Sequence, residues 1–363
     1  MGQAFFALGG VEGIGSTWKG WRSTTERRYQ ARQGVREETH LMLSNAEIES
    51  ARRAVASTLL KTPVLALSSA RWQTVLPEGI EATLKLELFQ QSGSFKARGA
   101  FLGIAGMDPA AQAAGVAAAS GGNHAMAVSW AAAAKGVSAK IAIPQSADPL
   151  RIEACRQAGA EVVLCDDIKH AFAQMQAWVD TEDRLMMHPF EGEHMSLGSA
   201  TLGAEYVEQC PDLDAFVVPV GGGGLISGMA AAIKLARPEA LVFGVEPEGA
   251  NSMQRSLAAG EPIALDGLNT IADSLASPLA MPYSFGLARA CVDEVVTVSD
   301  EALRASMRHL QDTLRIVAEP ACAASLAALI GPLGQRLAGR RVGLLACGSN
   351  IGLKRYHALL GEP

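Results

Sequence analysis

The chain has 363 residues, 49% of them hydrophobic, which suffices for a large core in two domains or one large α/β unit. A net charge of −6 and 5% aromatic residues argue against a nucleic-acid surface, and no apolar run reaches the roughly 18 residues of a membrane span. Six cysteines without a C-x-x-C pair or metal-ligand spacing read as reduced, mostly buried thiols of a cytoplasmic protein.

Residues 1–41 carry Arg22, Arg27, Arg28, Arg32 and Arg36 with little apolar periodicity, and their acidic residues argue against a transit peptide. They are set apart as the bulk of a poorly structured extension over residues 1–45, with Met42 as an alternative start. Ser44-Asn45 reads as the cap of a first helix running from Ile48 to Leu60. The strand-like run Ala82 to Leu88 then leads through Ser92-Gly-Ser-Phe-Lys-Ala-Arg98 into a helical stretch, Gly99 to Ala105. Lys96 thus sits where a loop enters a helix. Among apolar walls its amine has a lowered pKa and can form a Schiff base with a carbonyl cofactor, whereas a lone lysine there would more often be solvated.

Val116 to Ala119 reads as a strand, Ser120-Gly121-Gly122-Asn123-His124 as a turn that offers backbone N–H groups and a hydroxyl to an anion, and Ala125 to Ala134 as a helix. Further strands are expected at Ala139 to Ile143, Glu161 to Leu164, Ala215 to Val220, Leu241 to Val245 and Val342 to Ala346. Their alternation with alanine-rich helices argues for parallel sheets covered by helices. After Val220 come Gly221, Gly222, Gly223 and Gly224 and the helical stretch Leu225 to Ala236, which lets backbone and a helix N-terminus approach a phosphate. After Ala346 comes Cys347-Gly348-Ser349-Asn350, a loop that could hold a heteroaromatic nitrogen. His188 and His194 flank Glu191 and Glu193, but without recognised metal spacing.

In order, SGSFKARGA, SGGNHA, GGGGLISG and ACGSN resemble the pyridoxal-phosphate enzymes of fold type II, specifically the serine/threonine dehydratase group, over roughly Ile48 to Leu353. The resemblance implies a tryptophan-synthase-β-like α/β fold with two open, twisted, mostly parallel sheets, helices on both faces, and pyridoxal 5′-phosphate in the interdomain cleft. It divides the chain into a large domain of residues 46–107 and 189–363 and a small domain of residues 108–188. It makes Lys96 the Schiff-base lysine, lays Phe95 against the ring, and makes Gly221 to Gly224 the phosphate cup. Ser120, Gly121, Asn123 and His124 match the loop that binds the substrate carboxylate, with Asn123 also touching the cofactor's 3′-oxygen. Cys347 falls against the pyridine nitrogen. The resemblance further implies a homodimer or higher homo-oligomer. With 16 residues after Cys347, the C-terminal regulatory module of feedback-controlled threonine dehydratases is not expected.

The activity so implied is an ammonia-lyase that converts a 3-hydroxy amino acid such as L-threonine or L-serine to a 2-oxo acid and ammonia, with Lys96 as the base. Alternatives are a bulkier substrate of the phenylserine or hydroxyaspartate type, a threonine-synthase-like β-replacement, a racemase, or a non-catalytic cofactor-binding protein. Gly121 stands where racemising relatives place a second serine, which ranks racemisation low. Glu246 resembles the glutamate that begins a divalent-cation site, with Ala250 able to offer its carbonyl, but Ser252 replaces the carboxylate of that pattern. Ser199 replaces a glutamine usual in threonine dehydratases and opens the identity of the side-chain pocket. Glu319-Pro320 matches another landmark near the cofactor, with a helix-start turn as the plainer reading.

Overall fold

The computed structural model of the protein describes residues 42–361. Most of the expected N-terminal extension, residues 1–41, lies outside the described residues. The first described helix is Asn45–Val55, and Ser44 closes a capping box with Glu47. It ends before the expected Leu60, because the Leu60 N–H donates to the Gln90 side chain and its carbonyl accepts from it. Those backbone groups are therefore unavailable to a helix.

Ten strands follow among the described residues: β1 Val64–Ala66, β2 Glu81–Leu86, β3 Val116–Ala119, β4 Ala139–Pro144, β5 Glu161–Cys165, β6 Leu185–Met186, β7 Ala215–Pro219, β8 Leu241–Pro247, β9 Glu294–Val298 and β10 Arg341–Ala346. They form a six-stranded sheet of order β1-β2-β10-β7-β8-β9 and a four-stranded sheet of order β5-β4-β3-β6. Every pairing is parallel except β1 with β2. The seven expected strands are all present. Strands β1, β6 and β9 are additional.

The interiors of both sheets are covered, as parallel sheets require: β3 and β7 are buried along their whole length. One apolar cluster surrounds the six-stranded sheet. A second joins Ile141 and Val116 of the four-stranded sheet to Ala97, Ala100, Phe101 and Ile104. The helix Lys96–Ala105 therefore buries one face in the core of the smaller sheet. The long helix Glu193–Gln209 crosses it so closely that a Cβ on Gly99 would lie 2.7 Å from the Met195 sulfur. Loops leaving the carboxyl ends of β2, β3, β7 and β10 carry Lys96, Ser120 to Asn123, the glycine run and Cys347, the usual ligand edge of an open α/β sheet.

Candidate active site

Lys96 opens the helix Lys96–Ala105 after a tight turn in which Ser92 takes a left-handed conformation at φ 58°. That turn is tied to the loop after β10: Phe95 N–H donates to the Cys347 carbonyl at 3.1 Å, and Ser349 N–H donates to the Gly93 carbonyl at 3.2 Å. Residues far apart in sequence are thus fixed side by side. The Lys96 amine donates to the Pro189 carbonyl and lies 4.9 Å from the centroid of the Phe95 ring. Removal from water pulls it down to about 8, against a weaker opposing effect of Cys347. Among the described residues no carboxylate forms an ion pair with it.

Cys347 is buried, and burial, followed by nearby Cys322 and Glu319, pushes its thiol well above the ordinary range. It is neutral. Ser94, two residues before Lys96, is fully buried and its hydroxyl has no hydrogen-bond partner. An orphaned hydroxyl in the same turn as an amine that no carboxylate pairs marks a place built to receive polar atoms.

Ser120 closes the turn after β3 by accepting the Gly122 N–H at 3.1 Å on its hydroxyl. Asn123 begins the helix Asn123–Lys135 and is held at both ends of its amide: Nδ2 donates to Glu319 at 2.6 Å, and Oδ1 accepts from Asn350 at 2.7 Å. The His124 ring nitrogen Nε2 meets the Met187 carbonyl at 2.7 Å, so it carries the proton and Nδ1 does not. Burial and then the nearby Lys96 push this imidazole down to about 3. With its side chain engaged at Met187, His124 offers the loop its backbone. Gly121 packs under Ala147, its carbonyl turned to Arg151 at 3.5 Å.

The glycine run leaves β7 and opens the helix Gly224–Ala236. Gly223 adopts φ +98°, which side-chain-bearing residues avoid, and a Cβ on Gly224 would overlap the Phe190 carbonyl. The run is shaped by its protein neighbours as well as by any anion: the Phe190 ring packs directly on Gly222. The N-terminal N–H groups of the helix beyond it favour negative charge.

These residues fit pyridoxal phosphate. An uncharged-capable amine, a glycine-lined helix N-terminus for the phosphate and a neutral thiol for the ring nitrogen stand on loops of the six-stranded sheet, and the Ser120 to Asn123 loop joins them from the four-stranded one.

The other candidates have different roles. The Glu246 carboxylate accepts the N–H groups of Met253 at 2.9 Å and Gln254 at 2.8 Å, capping the helix Ser252–Ala259. Burial drives it up to about 8. Ser252 is fully buried with an unpartnered hydroxyl, and among the described residues no group of three His, Cys, Asp or Glu is arranged to hold a metal. His188 accepts the Glu191 N–H at 3.0 Å, while the Glu191 carboxylate turns away to Tyr283 and Ser284. Ser199 bonds back to the Met195 carbonyl and packs against Gly228, which places it between helices.

Sequence reasoning left Glu319 undecided and missed Arg151 and Asp273. Glu319 is fully buried and contacts Asn123 directly; Arg151 reaches it from the helix Pro149–Gln157. Only Glu319-Pro320 had a visible signal.

The family described as pyridoxal-phosphate dependent enzyme matches residues 57–348. Phenylserine dehydratase of Ralstonia pickettii is 47% identical over 283 residues, 78% of this chain and 87% of that protein. L-threonine ammonia-lyase of Thermotoga maritima is 35% identical over 322 residues, 88% of this chain and 79% of that protein. The solved structure of maize serine racemase superposes with a TM-score of 0.81 at 32% identity, covering 85% of this chain and 94% of that one. The chain belongs to the pyridoxal-phosphate-dependent enzyme family. Within it, the chain is of the serine/threonine dehydratase group with fold type II architecture, a carbon–nitrogen lyase whose cofactor is pyridoxal phosphate.

Proposed function

We propose that the protein eliminates water across Cα–Cβ of a 3-hydroxy amino acid, and that the released enamine takes up water and loses ammonia, giving a 2-oxo acid. The observation that carries this is the buried Lys96 amine, free of any carboxylate partner and drawn down to about 8, beside the neutral Cys347 thiol. When bound, pyridoxal phosphate supplies the electron-withdrawing ring that acidifies the substrate's Cα–H. Lys96 Nζ takes that proton, which requires an unprotonated amine near neutral pH. Ser120, Asn123 and the backbone of Gly121 and His124 hold the substrate carboxylate. Gly221 to Gly224 hold the phosphate, and Phe95 backs the ring. A neutral thiol at Cys347 would supply no negative charge to hold a proton on the ring nitrogen of bound cofactor, an arrangement that would favour loss of the β-hydroxyl over other fates. Gly121 supplies no hydroxyl as a second base, which disfavours racemisation.

For the side chain, the alternative of a bulkier substrate gains support over threonine or serine. Identity to the phenylserine dehydratase is 47%, against 35% to the threonine enzyme. The half-buried Phe190 ring on Gly222 also offers an aromatic wall. Serine, threonine, phenylserine and hydroxyaspartate assayed for 2-oxo acid and ammonia decide this: phenylserine should give the highest kcat/KM. No 2-oxo acid from any of them would overturn the lyase reading.

We assign residues 108–188 to a small domain and residues 46–107 with 189–363 to a large one, the cofactor lying between them. We further infer a cytoplasmic homodimer or higher oligomer acting on a small amino acid. Six free cysteines support a reducing compartment, and among the described residues no helix is long and apolar enough to cross a membrane.

A further inference from the structure

Arg151 stands on the helix Pro149–Gln157, which follows β4 of the four-stranded sheet, yet its guanidinium is spent mostly on the other sheet's elements. Nε donates to the Asn350 carbonyl at 2.7 Å, in the loop after β10. Nη1 donates to Asp273 at 2.8 Å, and Nη2 to Glu319 at 3.3 Å. Only the Gly121 carbonyl, at 3.5 Å, belongs to its own side, and it lies in the Ser120 to Asn123 loop. One planar fork therefore joins four segments, a geometry lysine cannot copy.

The contacts continue inward. The Glu319 oxygen not facing Arg151 accepts from Asn123 Nδ2 at 2.6 Å, and the Asn123 carbonyl accepts from Asn350, whose amide also donates to the Ser92 carbonyl at 2.8 Å in the Lys96 turn. Asn123 is thereby fixed in one amide orientation by two partners that Arg151 holds. The Arg151 side chain is 4% exposed and that of Glu319 1%, whereas Asp273 is 35% exposed and is also met by Arg355 at 3.2 Å. The chain of contacts thus runs from solvent to the cofactor loop.

We propose that Arg151 is a positioning residue, which sets the Asn123 amide through Glu319 and ties the Ser120 to Asn123 loop to the six-stranded sheet. This rests on the assignment of that loop to cofactor and substrate. The groups facing Glu319 are Arg151, Asp273, Cys322 and Cys347, with Asp148 near Arg151. Burial raises Glu319 against the pull of Arg151, so without the guanidinium the carboxyl takes up a proton more readily.

The test compares R151Q, R151K, E319Q and R151Q/E319Q as holoenzymes. R151Q should raise KM about tenfold, the scale of one charge-assisted hydrogen bond, with a smaller change in kcat. It should shift the acid limb of the pH profile of kcat/KM upward and speed hydrogen exchange at residues 120–124. The double variant should be no worse than E319Q, and R151K should recover part of the loss. Equal losses from R151Q with and without Glu319 would overturn the proposal, as would unchanged exchange at residues 120–124. If R151Q does not fold, R151K and D273N carry the test, and exchange in that loop at the wild-type rate in both would overturn it. A wild-type protein without lyase activity would sink the proposed function instead, leaving the exchange and the cofactor absorbance readable.

Discussion

Two buried ionic clusters brace the residues around Lys96, and they differ in where they end. The first joins Lys85 of β2, Glu87 just after it, Arg98 two residues beyond Lys96, and Glu205 of the helix Glu193–Gln209. Arg98 binds Glu87 through two nitrogens at 2.8 and 2.7 Å, and Thr62 donates to the same carboxylate at 2.6 Å. Charges balance, and water reaches none of the four freely. The second cluster, Arg151 with Glu319 and Asp273, opens to solvent at Asp273. Burial pushes Glu87 up, but Arg98, Thr62 and Lys85 outweigh it and hold it below its ordinary value; Glu319 stays raised despite Arg151. A sealed, bidentate pair fixes a scaffold, whereas a longer, singly bonded pair leaves a carboxylate able to respond.

The largest effect should come from neither cluster. Lys96→Ala leaves both intact, so the fold should persist with unchanged melting temperature while 2-oxo acid release drops by more than about a thousandfold, since no other amine replaces the base. The imine absorbance should vanish with it. A variant that retained ammonia release would move the chemistry elsewhere.

Breaking the sealed cluster should do the reverse. Arg98→Leu leaves Glu87 buried without its guanidinium, which costs about 3–5 kcal/mol of stability. Urea unfolding measures this directly. A loss below about 1 kcal/mol would mean that the cluster is solvated or easily rearranged.

Gly224→Ala perturbs the third wall of the site. Its Cβ would overlap the Phe190 carbonyl, so the segment Pro189 to Glu191 or the helix start must shift. Cofactor affinity should weaken by about tenfold, or 1.4 kcal/mol, in an equilibrium titration of the apo-protein. Unchanged affinity would place the phosphate away from this turn.

What the sequence made legible follows from how local each feature is. The turn at Lys96, the glycine run and Cys347 announce themselves because strand, loop and helix start are consecutive in the chain. The main strands were legible for the same reason, as short apolar runs between helical ones. β1 and β6 were not, having only three and two residues whose pairing is decided by neighbours far away. β9, Glu294–Val298, is a mostly buried run of β-branched residues and was within reach of a pattern reading. Arg151 and Asp273 could not be found, because the contacts of Arg151 with Asp273, Glu319 and Asn350 span 122 to 199 residues and an arginine on a helix reads as surface. Glu246 carried a two-sided signal: its surroundings resemble the start of a cation site, while the two N–H groups it accepts come from the helix that Ser252 begins.

Glu246 also sharpens the comparison, because it is a fully buried carboxyl to which no Lys or Arg is paired among the described residues. Burial, only partly opposed by the Gln254 and Met253 N–H groups, lifts it to about 8. In the unfolded chain it titrates near its ordinary 4.5. Between those two values the folded protein binds the proton and the unfolded chain does not, so stability falls as pH rises, by at most about 1.4 kcal/mol per pH unit. Above about 8 both states are ionised and the slope ends. Glu246→Gln removes the proton from the balance while keeping one acceptor for the helix end, so its melting temperature should fall less between about pH 4.5 and 8 than that of the wild type. Glu87→Gln should show no such flattening, since Arg98 already holds Glu87 ionised through that window. Parallel melting curves for wild type and Glu246→Gln would show that the two N–H groups alone keep this carboxylate charged, and that burial without a guanidinium does not raise it here.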